Sequence, residues 1–133
     1  MIEVDIQNLE ISLSKKLPAS YKTILLNYPD ELTQKGNLAE PISDLVLPNN
    51  LEQIVAVNQM LNKWLNKSNK IAIGEDGCGG IFFIDPSDEK IYELDHEAPK
   101  YFDPEQKLFD FEGSLKVVHN SINEYIQCHL SIF

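Results

Sequence analysis

The feature that most constrains the fold is a pair of short apolar runs separated by a glycine-rich stretch. Residues 71–73 read Ile-Ala-Ile and residues 81–84 read Ile-Phe-Phe-Ile. Runs of this length, rich in β-branched and aromatic residues and bounded by glycines, are typical of buried strands. Residues 85–88 then place Asp first and Pro second, as a type I turn prefers. The pattern predicts a strand, a loop over residues 74–80, and an antiparallel hairpin whose second strand covers residues 90–95.

The sequence before this region has the spacing of helices. Apolar residues recur every three or four positions over residues 2–13, which predicts a short amphipathic helix. Pro18 suits the first turn of a second helix, and Pro29 closes it. We therefore expect the second helix over residues 18–28.

The stretch between the second and third helices is less regular. Residues 30–41 are polar and aperiodic, which predicts a connecting loop. The Leu-Val-Leu run at 45–47, ended by Pro48, predicts a brief strand. Asn50 can then cap a third helix, which the apolar spacing extends as far as Ser68.

The C-terminal part combines extended segments with one helix. Residues 101–102 and 108–111 look extended around an acidic turn, and residues 115–118 look like a last strand. Residues 121–124 have the Ser-x-x-Glu capping pattern, so a terminal helix should begin at Ile122.

These elements add up to an α+β fold with N-terminal helices, a central antiparallel sheet containing a hairpin, and one C-terminal helix. The 133 residues are enough for one core and too few for two ordinary domains, so we expect a single domain over residues 1–133. No apolar run approaches the roughly 20 residues of a membrane span. Cys78 and Cys128 have no disulfide or metal-site spacing. A cytoplasmic protein fits both observations.

The charge of the chain limits its partners. The sequence has 21 acidic residues against 11 basic ones, all of them lysine, for a net charge of −10. Arginine is the residue best suited to bidentate phosphate contacts, and its absence argues against nucleic acid and anionic membranes as partners. An acidic field would instead speed encounter with a basic protein. The same charge can also serve solubility alone.

Three kinds of chemical site are weakly indicated. Residues 74–80 have the glycines of a phosphate-binding loop, but they lack its Gly-Lys-Ser/Thr ending and lead into a strand. Cys78 and His96 would form a nucleophile and base only if the fold brought them together. The acids of residues 76–97 match no EF-hand or zinc spacing. We therefore expect no metal, no cofactor and no catalysis, with a small enzyme using Cys78 and His96 as the alternative.

Acidic residues flank the predicted hairpin at both ends. Asp85 and Asp88 lie at its turn, and the other acids belong to the opposite end. Loop acids that lie together can pair with a basic protein surface. We predict that the partner-binding residues are Glu75, Asp76, Asp95 and Glu97. The alternative is that these acids keep the edge of the sheet soluble.

Four spaced segments also resemble a known family. They are Leu-Pro with Tyr-Lys in residues 17–25, the glycine loop and strand of residues 73–85, Ile-Tyr-Glu-Leu-Asp-His-Glu at 91–97, and the helix start at 120–126. Their order, spread over residues 5–130, resembles the SUKH superfamily of the Smi/Knr type. That family includes bacterial immunity proteins and fungal cell-wall regulators.

The resemblance implies an α+β domain that acts by binding another protein. It suggests an immunity protein that neutralises a cognate toxin, and the acidic charge suggests that the toxin is basic. A non-catalytic regulatory or scaffold protein of the same family would differ only in its partner. The sequence leaves these two functions, the toxin and the oligomeric state open.

Overall fold

The computed structural model describes residues 1–33, 44–63, 69–77, 79–94, 102–103, 108–109 and 115–130. The helices are α1 (Glu3–Leu13), α2 (Ala19–Leu26), a short 3-10 helix (Asp30–Thr33), α3 (Leu51–Asn62) and α4 (Ile122–Leu130). The strands are β1 (Ile71–Glu75), β2 (Ile81–Ile84), β3 (Ile91–Leu94), β4 (Phe102–Asp103), β5 (Leu108–Phe109) and β6 (Leu115–His119). Among these helices, none is both long and apolar enough to cross a membrane.

Strands β1, β2, β3 and β6 form one antiparallel sheet in that order, and β4 pairs with β5 in a separate two-stranded sheet. In the β2–β3 hairpin Ile84 lies opposite Ile91. The turn closes with a hydrogen bond of 2.7 Å from the Glu89 N–H to the Asp85 carbonyl, and Glu89 has a φ of 54°. The α+β fold and the hairpin predicted from the sequence are confirmed.

Both faces of β1 and β2 are buried, which explains the uninterrupted apolar runs of these two strands. Phe82 and Ile84 pack into a cluster with buried residues of α1, α2 and α4. The alternate residues Ile81 and Phe83 pack into a second cluster with Val57 of α3. Because successive side chains of a strand point to opposite faces, the two clusters lie on opposite sides of the sheet.

Two helices begin where the sequence predicts. The Asn50 side chain accepts hydrogen bonds from the backbone N–H groups of Glu52 and Gln53 at 2.9 and 3.3 Å, and α3 starts at the next residue. The Ser121 hydroxyl accepts one from the Glu124 N–H at 3.1 Å, and α4 follows. Each side-chain oxygen satisfies a donor that the first turn of a helix leaves unpaired.

Three expectations need correction. Residues 45–47 are not a strand but part of a turn, whose Leu45 carbonyl accepts a hydrogen bond from the Glu75 N–H at 3.0 Å. The apolar character of this turn reflects burial, since Leu47 lies in the core. The predicted loop over residues 30–41 starts with the 3-10 helix, which buries Leu32. Helix α2 ends at Leu26, and the predicted last turn of α3 over residues 64–68 lies outside the described residues.

Helix α3 also covers the free edge of β1 through a buried side chain. The Asn58 amide accepts from the Ala72 N–H at 2.8 Å and donates to the Ala72 carbonyl at 3.0 Å. It donates to the Ile54 carbonyl at 2.8 Å as well. Asn58 therefore takes the place of a neighbouring strand at an edge that would otherwise be exposed for pairing.

Candidate partner-binding site

The sheet register places the acidic loop after β1 at one end of the sheet. Glu75, the last residue of β1, pairs with Ile81, which in turn pairs with Leu94 at the end of β3. The C-terminal end of β3 therefore lies at the same end of the sheet as the loop. The hairpin turn that starts at Asp85 lies at the other end, because Ile84 closes β2. Of the residues predicted from the sequence, Asp95, Glu97, Cys78 and His96 lie outside the described residues.

Asp76 shapes the loop. Its carboxylate accepts a hydrogen bond from the Gly80 N–H at 2.9 Å, and its own N–H donates to the Gly80 carbonyl at 3.2 Å. Gly77 and Gly79 have φ values of 85° and 93°, in the region that favours glycine. A side chain at Gly80 would place its Cβ 2.2 Å from an oxygen of the Asp76 carboxylate. Asp76 thus holds the two ends of the loop together.

Glu75 is held by its backbone rather than by its side chain. Its N–H binds the Leu45 carbonyl, and the neighbouring Gly74 leaves room for this approach, because a Cβ there would lie 1.8 Å from the Val46 oxygen. The half-buried Glu75 carboxylate makes no hydrogen bond or ion pair with any residue in the described part of the chain. Glu75 therefore has a fixed backbone position and a carboxylate that the described part of the fold does not use.

Asp85, at the opposite end of the sheet, is used internally. Its carboxylate accepts from the Ser87 N–H at 2.9 Å and the Ser87 hydroxyl at 2.7 Å, and it lies 3.6 Å from the Lys70 ammonium. Burial alone would raise the pKa of Asp85, but these hydrogen bonds and the Lys70 charge lower it.

The other acids of the hairpin turn are also used internally. Asp88 accepts a hydrogen bond of 2.7 Å from the Tyr92 hydroxyl, which raises the pKa of Tyr92 to about 12. Glu89 accepts from both the N–H and the hydroxyl of Ser20, at 3.1 and 2.8 Å, and so caps the start of α2. The acids at the hairpin end are therefore used within the fold. At the other end Asp76 is also used, whereas the Glu75 carboxylate has no partner in the described part of the chain.

One acid near the Glu75 end of the sheet, Glu93, was not among the predicted partner-binding residues. Glu93 pairs with Phe82 across the sheet, and its charge reaches the buried Tyr125 hydroxyl. Burial is the main cause that raises the pKa of Tyr125, followed by neighbouring ionisable groups that include Glu93 and Asp76. The sequence did contain a signal for Glu93. It lies two positions after Ile91, so strand alternation puts this acid on the same face of β3 as a buried apolar residue.

The structure also brings together two histidines that the sequence analysis did not connect. The rings of His119 and His129 lie 6.3 Å apart, and each packs against the Tyr125 ring, at 5.5 and 4.5 Å. His119 ends β6 and His129 lies in the last turn of α4, so the reversal between the two elements makes them neighbours. The separation of ten residues in sequence gave no periodic signal for this contact.

No group of three His, Cys, Asp or Glu side chains within the described ranges is arranged to hold a metal ion. Cys128 is exposed on α4. Because Cys78 and His96 are outside the described residues, the alternative of a small enzyme stays a prediction.

The fold and this site define a small α+β protein with helices packed on both faces of an antiparallel sheet and an acidic loop at one end. The chain matches the model of the SMI1 / KNR4 family (SUKH-1) over residues 3–128, and it belongs to that family. This match confirms the resemblance found in the sequence. Comparison with curated proteins found no match, and comparison with solved structures found none either.

Proposed function

We propose that this protein is a cytoplasmic immunity protein that neutralises a cognate, basic toxin by direct protein–protein contact, without catalysis. Its membership of the SMI1 / KNR4 family supports a binding function. The observation that carries the location of the site is the Glu75 carboxylate, which has no partner within the described part of the chain and lies at one end of the sheet.

The residues of the proposed site divide into two roles. Glu75 contacts the partner directly, together with Asp95 and Glu97, which follow Leu94 in the sequence. Asp76 positions the loop through Gly80 and adds its negative charge. The net charge of −10 attracts a basic protein surface at long range. Dissolved salt screens this attraction, so the association rate should fall as the ionic strength rises.

The function is tested by expressing the product of the neighbouring reading frame with and without this protein. We expect that product to inhibit growth alone, to be harmless when the two are expressed together, and to co-purify with this protein. If no neighbouring product is toxic or co-purifies, the immunity function is wrong. Co-purification with a non-toxic partner would instead favour a regulatory or scaffold function.

The site is tested by Glu75→Lys. The reversed charge should slow association with the basic partner several-fold and reduce its salt dependence, as measured by surface plasmon resonance at several salt concentrations. Glu75→Gln should have an intermediate effect. Glu31→Lys, at an exposed position of the 3-10 helix, makes the same change in net charge and serves as the control. Equal association rates for Glu75→Lys and the control would contradict a role for this loop.

A further inference from the structure

Helix α1 has two apolar faces, and the fold covers one of them. Ile6 and Leu9 are buried in the core. On the opposite side, Val4 and Ile11 remain exposed over 56% and 75% of their surface. A surface helix ordinarily has a single apolar stripe, so the second face is unexplained by the packing of this domain.

The two exposed apolar residues lie on one side of the helix. Val4 and Ile11 are seven positions apart, which is two helical turns, so they lie on the same side of α1 with Gln7 between them. An open cleft of about 480 Å³ borders Ile11. It is lined by Gln7, Glu10, Ile11, Ser14, Lys15 and Lys16.

Opposite charges stand at the two ends of this surface. Glu3 is exposed at the start of the helix, and Lys16 is exposed just beyond its end. Neither of them forms an ion pair or a hydrogen bond through its side chain with another residue in the described ranges. Lys15, beside Lys16, donates to the Lys70 carbonyl at 2.8 Å. The C-terminal end of the surface is therefore basic in a chain that is strongly acidic overall.

We propose that this surface binds a second copy of the same chain, with the two α1 helices antiparallel across a two-fold axis. Val4 then packs against Ile11 of the second copy, and Ile11 against the second Val4. Glu3 and the second Lys16 are offset by about one turn, roughly 5.4 Å along the axis, which the four-carbon stem of lysine spans.

Self-complementarity is the reason to choose a second copy as the occupant. A two-fold axis brings the acidic end of one helix to the basic end of the other in two identical contacts. A basic partner would instead meet the positive charges of Lys15 and Lys16. The Lys15–Lys70 hydrogen bond places the C-terminal end of the dimer surface near the start of β1, whereas Glu75 ends that strand. The dimer surface is therefore separate from the acidic loop, and this inference does not depend on the proposed function.

The expected dimer is weak. One face of a three-turn helix offers less area than the roughly 800 Å² per partner of a standard interface. The charge of −10 on each copy adds long-range repulsion at low ionic strength. We therefore expect a dissociation constant on the order of 100 µM at physiological salt, where that repulsion is screened.

Sedimentation equilibrium from low micromolar to millimolar protein tests the proposal. The wild type should change from monomer to dimer, and Ile11→Asp should remain monomeric. Glu3→Lys and Lys16→Glu should each weaken the dimer about tenfold, because two attractive contacts become repulsive. An equimolar mixture of these two variants should form a heterodimer, since every Lys then faces a Glu. The double variant should dimerise like the wild type.

The matched controls are Glu52→Lys, at an exposed position in the first turn of α3, and Lys63→Glu, at the exposed residue that follows α3. Both should leave the dimer unchanged. Circular dichroism establishes that each variant is folded. A wild type that stays monomeric up to millimolar concentration overturns the proposal, as does a dimer that persists in Ile11→Asp or a mixture no tighter than its components. Loss of toxin binding in Ile11→Asp, with the wild type monomeric, would assign this surface to the toxin and would also overturn it. The test of immunity by co-expression is unaffected by either result.

Discussion

A single buried amide decides how β1 meets α3. Asn58 makes three hydrogen bonds, two of them to both backbone groups of Ala72. Leucine has the same branched shape as asparagine, so Asn58→Leu would leave no cavity but would strip the Ala72 N–H and carbonyl of their partners. We expect a loss of about 3 kcal/mol in the free energy of unfolding, measured by urea denaturation.

The matched control is Asn62→Leu. Asn62 is exposed at the end of the same helix, and this change should alter stability by no more than about 0.5 kcal/mol. Equal losses for the two variants would mean that Asn58 contributes helix propensity rather than hydrogen bonds to the strand edge.

Two buried tyrosines provide a second test at the scale of single residues. The Tyr125 hydroxyl donates to the Val46 carbonyl, whereas the buried Tyr21 hydroxyl has no partner in the described part of the chain. Tyr125→Phe should therefore cost about 1–2 kcal/mol, and Tyr21→Phe should be neutral or stabilising. Thermal denaturation of both variants checks the difference. A larger loss for Tyr21→Phe would show that its hydroxyl has a partner, such as a buried water.

At the scale of elements, α4 should respond to acid through His129. Its Nδ1 lies 2.9 Å from the Tyr125 carbonyl, which can only accept, so Nδ1 carries the proton. Burial is the main cause that lowers the pKa of His129. The hydrogen bond to the Tyr125 carbonyl raises this pKa in part, and the nearby His119 lowers it. Glu124 faces His119, with its carboxylate 4.0 Å from the His119 Nδ1.

The direction of the pH effect follows from this lowered pKa. The unfolded state binds a proton more readily than the folded state, so His129 stabilises the fold above its ordinary pKa of 6.5, and that stability is lost as the pH falls through the lower folded value. His129→Gln should make the free energy of unfolding less dependent on pH between about 7 and 5, as urea titrations would show. Asp85, whose pKa lies below 3.8, acts only at more acidic pH. An unchanged slope would contradict the assignment to His129.

The elements themselves show which sequence patterns are reliable. The helix starts at Asn50 and Ser121 were predictable, because a cap is a local hydrogen bond between residues three positions apart or fewer. The strand expected at residues 45–47 was wrong, because an apolar run indicates burial and not the conformation that achieves it. Here the run forms a turn whose backbone packs closely against Gly74. This contact joins residues that are far apart in sequence, so the local pattern could not predict the turn.

At the scale of the whole molecule, the net charge of −10 should oppose compaction. Few ion pairs within the described residues offset it; they include Lys22–Glu10 at 3.4 Å and Lys70–Asp85 at 3.6 Å. Adding sodium chloride at neutral pH should therefore raise the melting temperature by a few degrees, because it screens self-repulsion. A variant with Glu31→Gln and Glu52→Gln should show a smaller increase. A melting temperature that falls with salt would mean that attractive pairs dominate instead.

The sequence by itself determined the class of fold, the hairpin, the order of the elements and the family, because these depend on periodicity, capping and local motifs. Tertiary structure decided which acids are used by the fold. Glu89 caps a helix that lies 69 positions away in sequence, and Asp85 pairs with Lys70, so the hairpin acids are satisfied internally. Glu75 and Asp76 are adjacent in sequence, yet only the Asp76 carboxylate has a hydrogen-bond partner, Gly80, in the described part of the chain. The sequence shows which residues carry a charge. Their partners depend on which distant groups the fold brings within hydrogen-bonding distance.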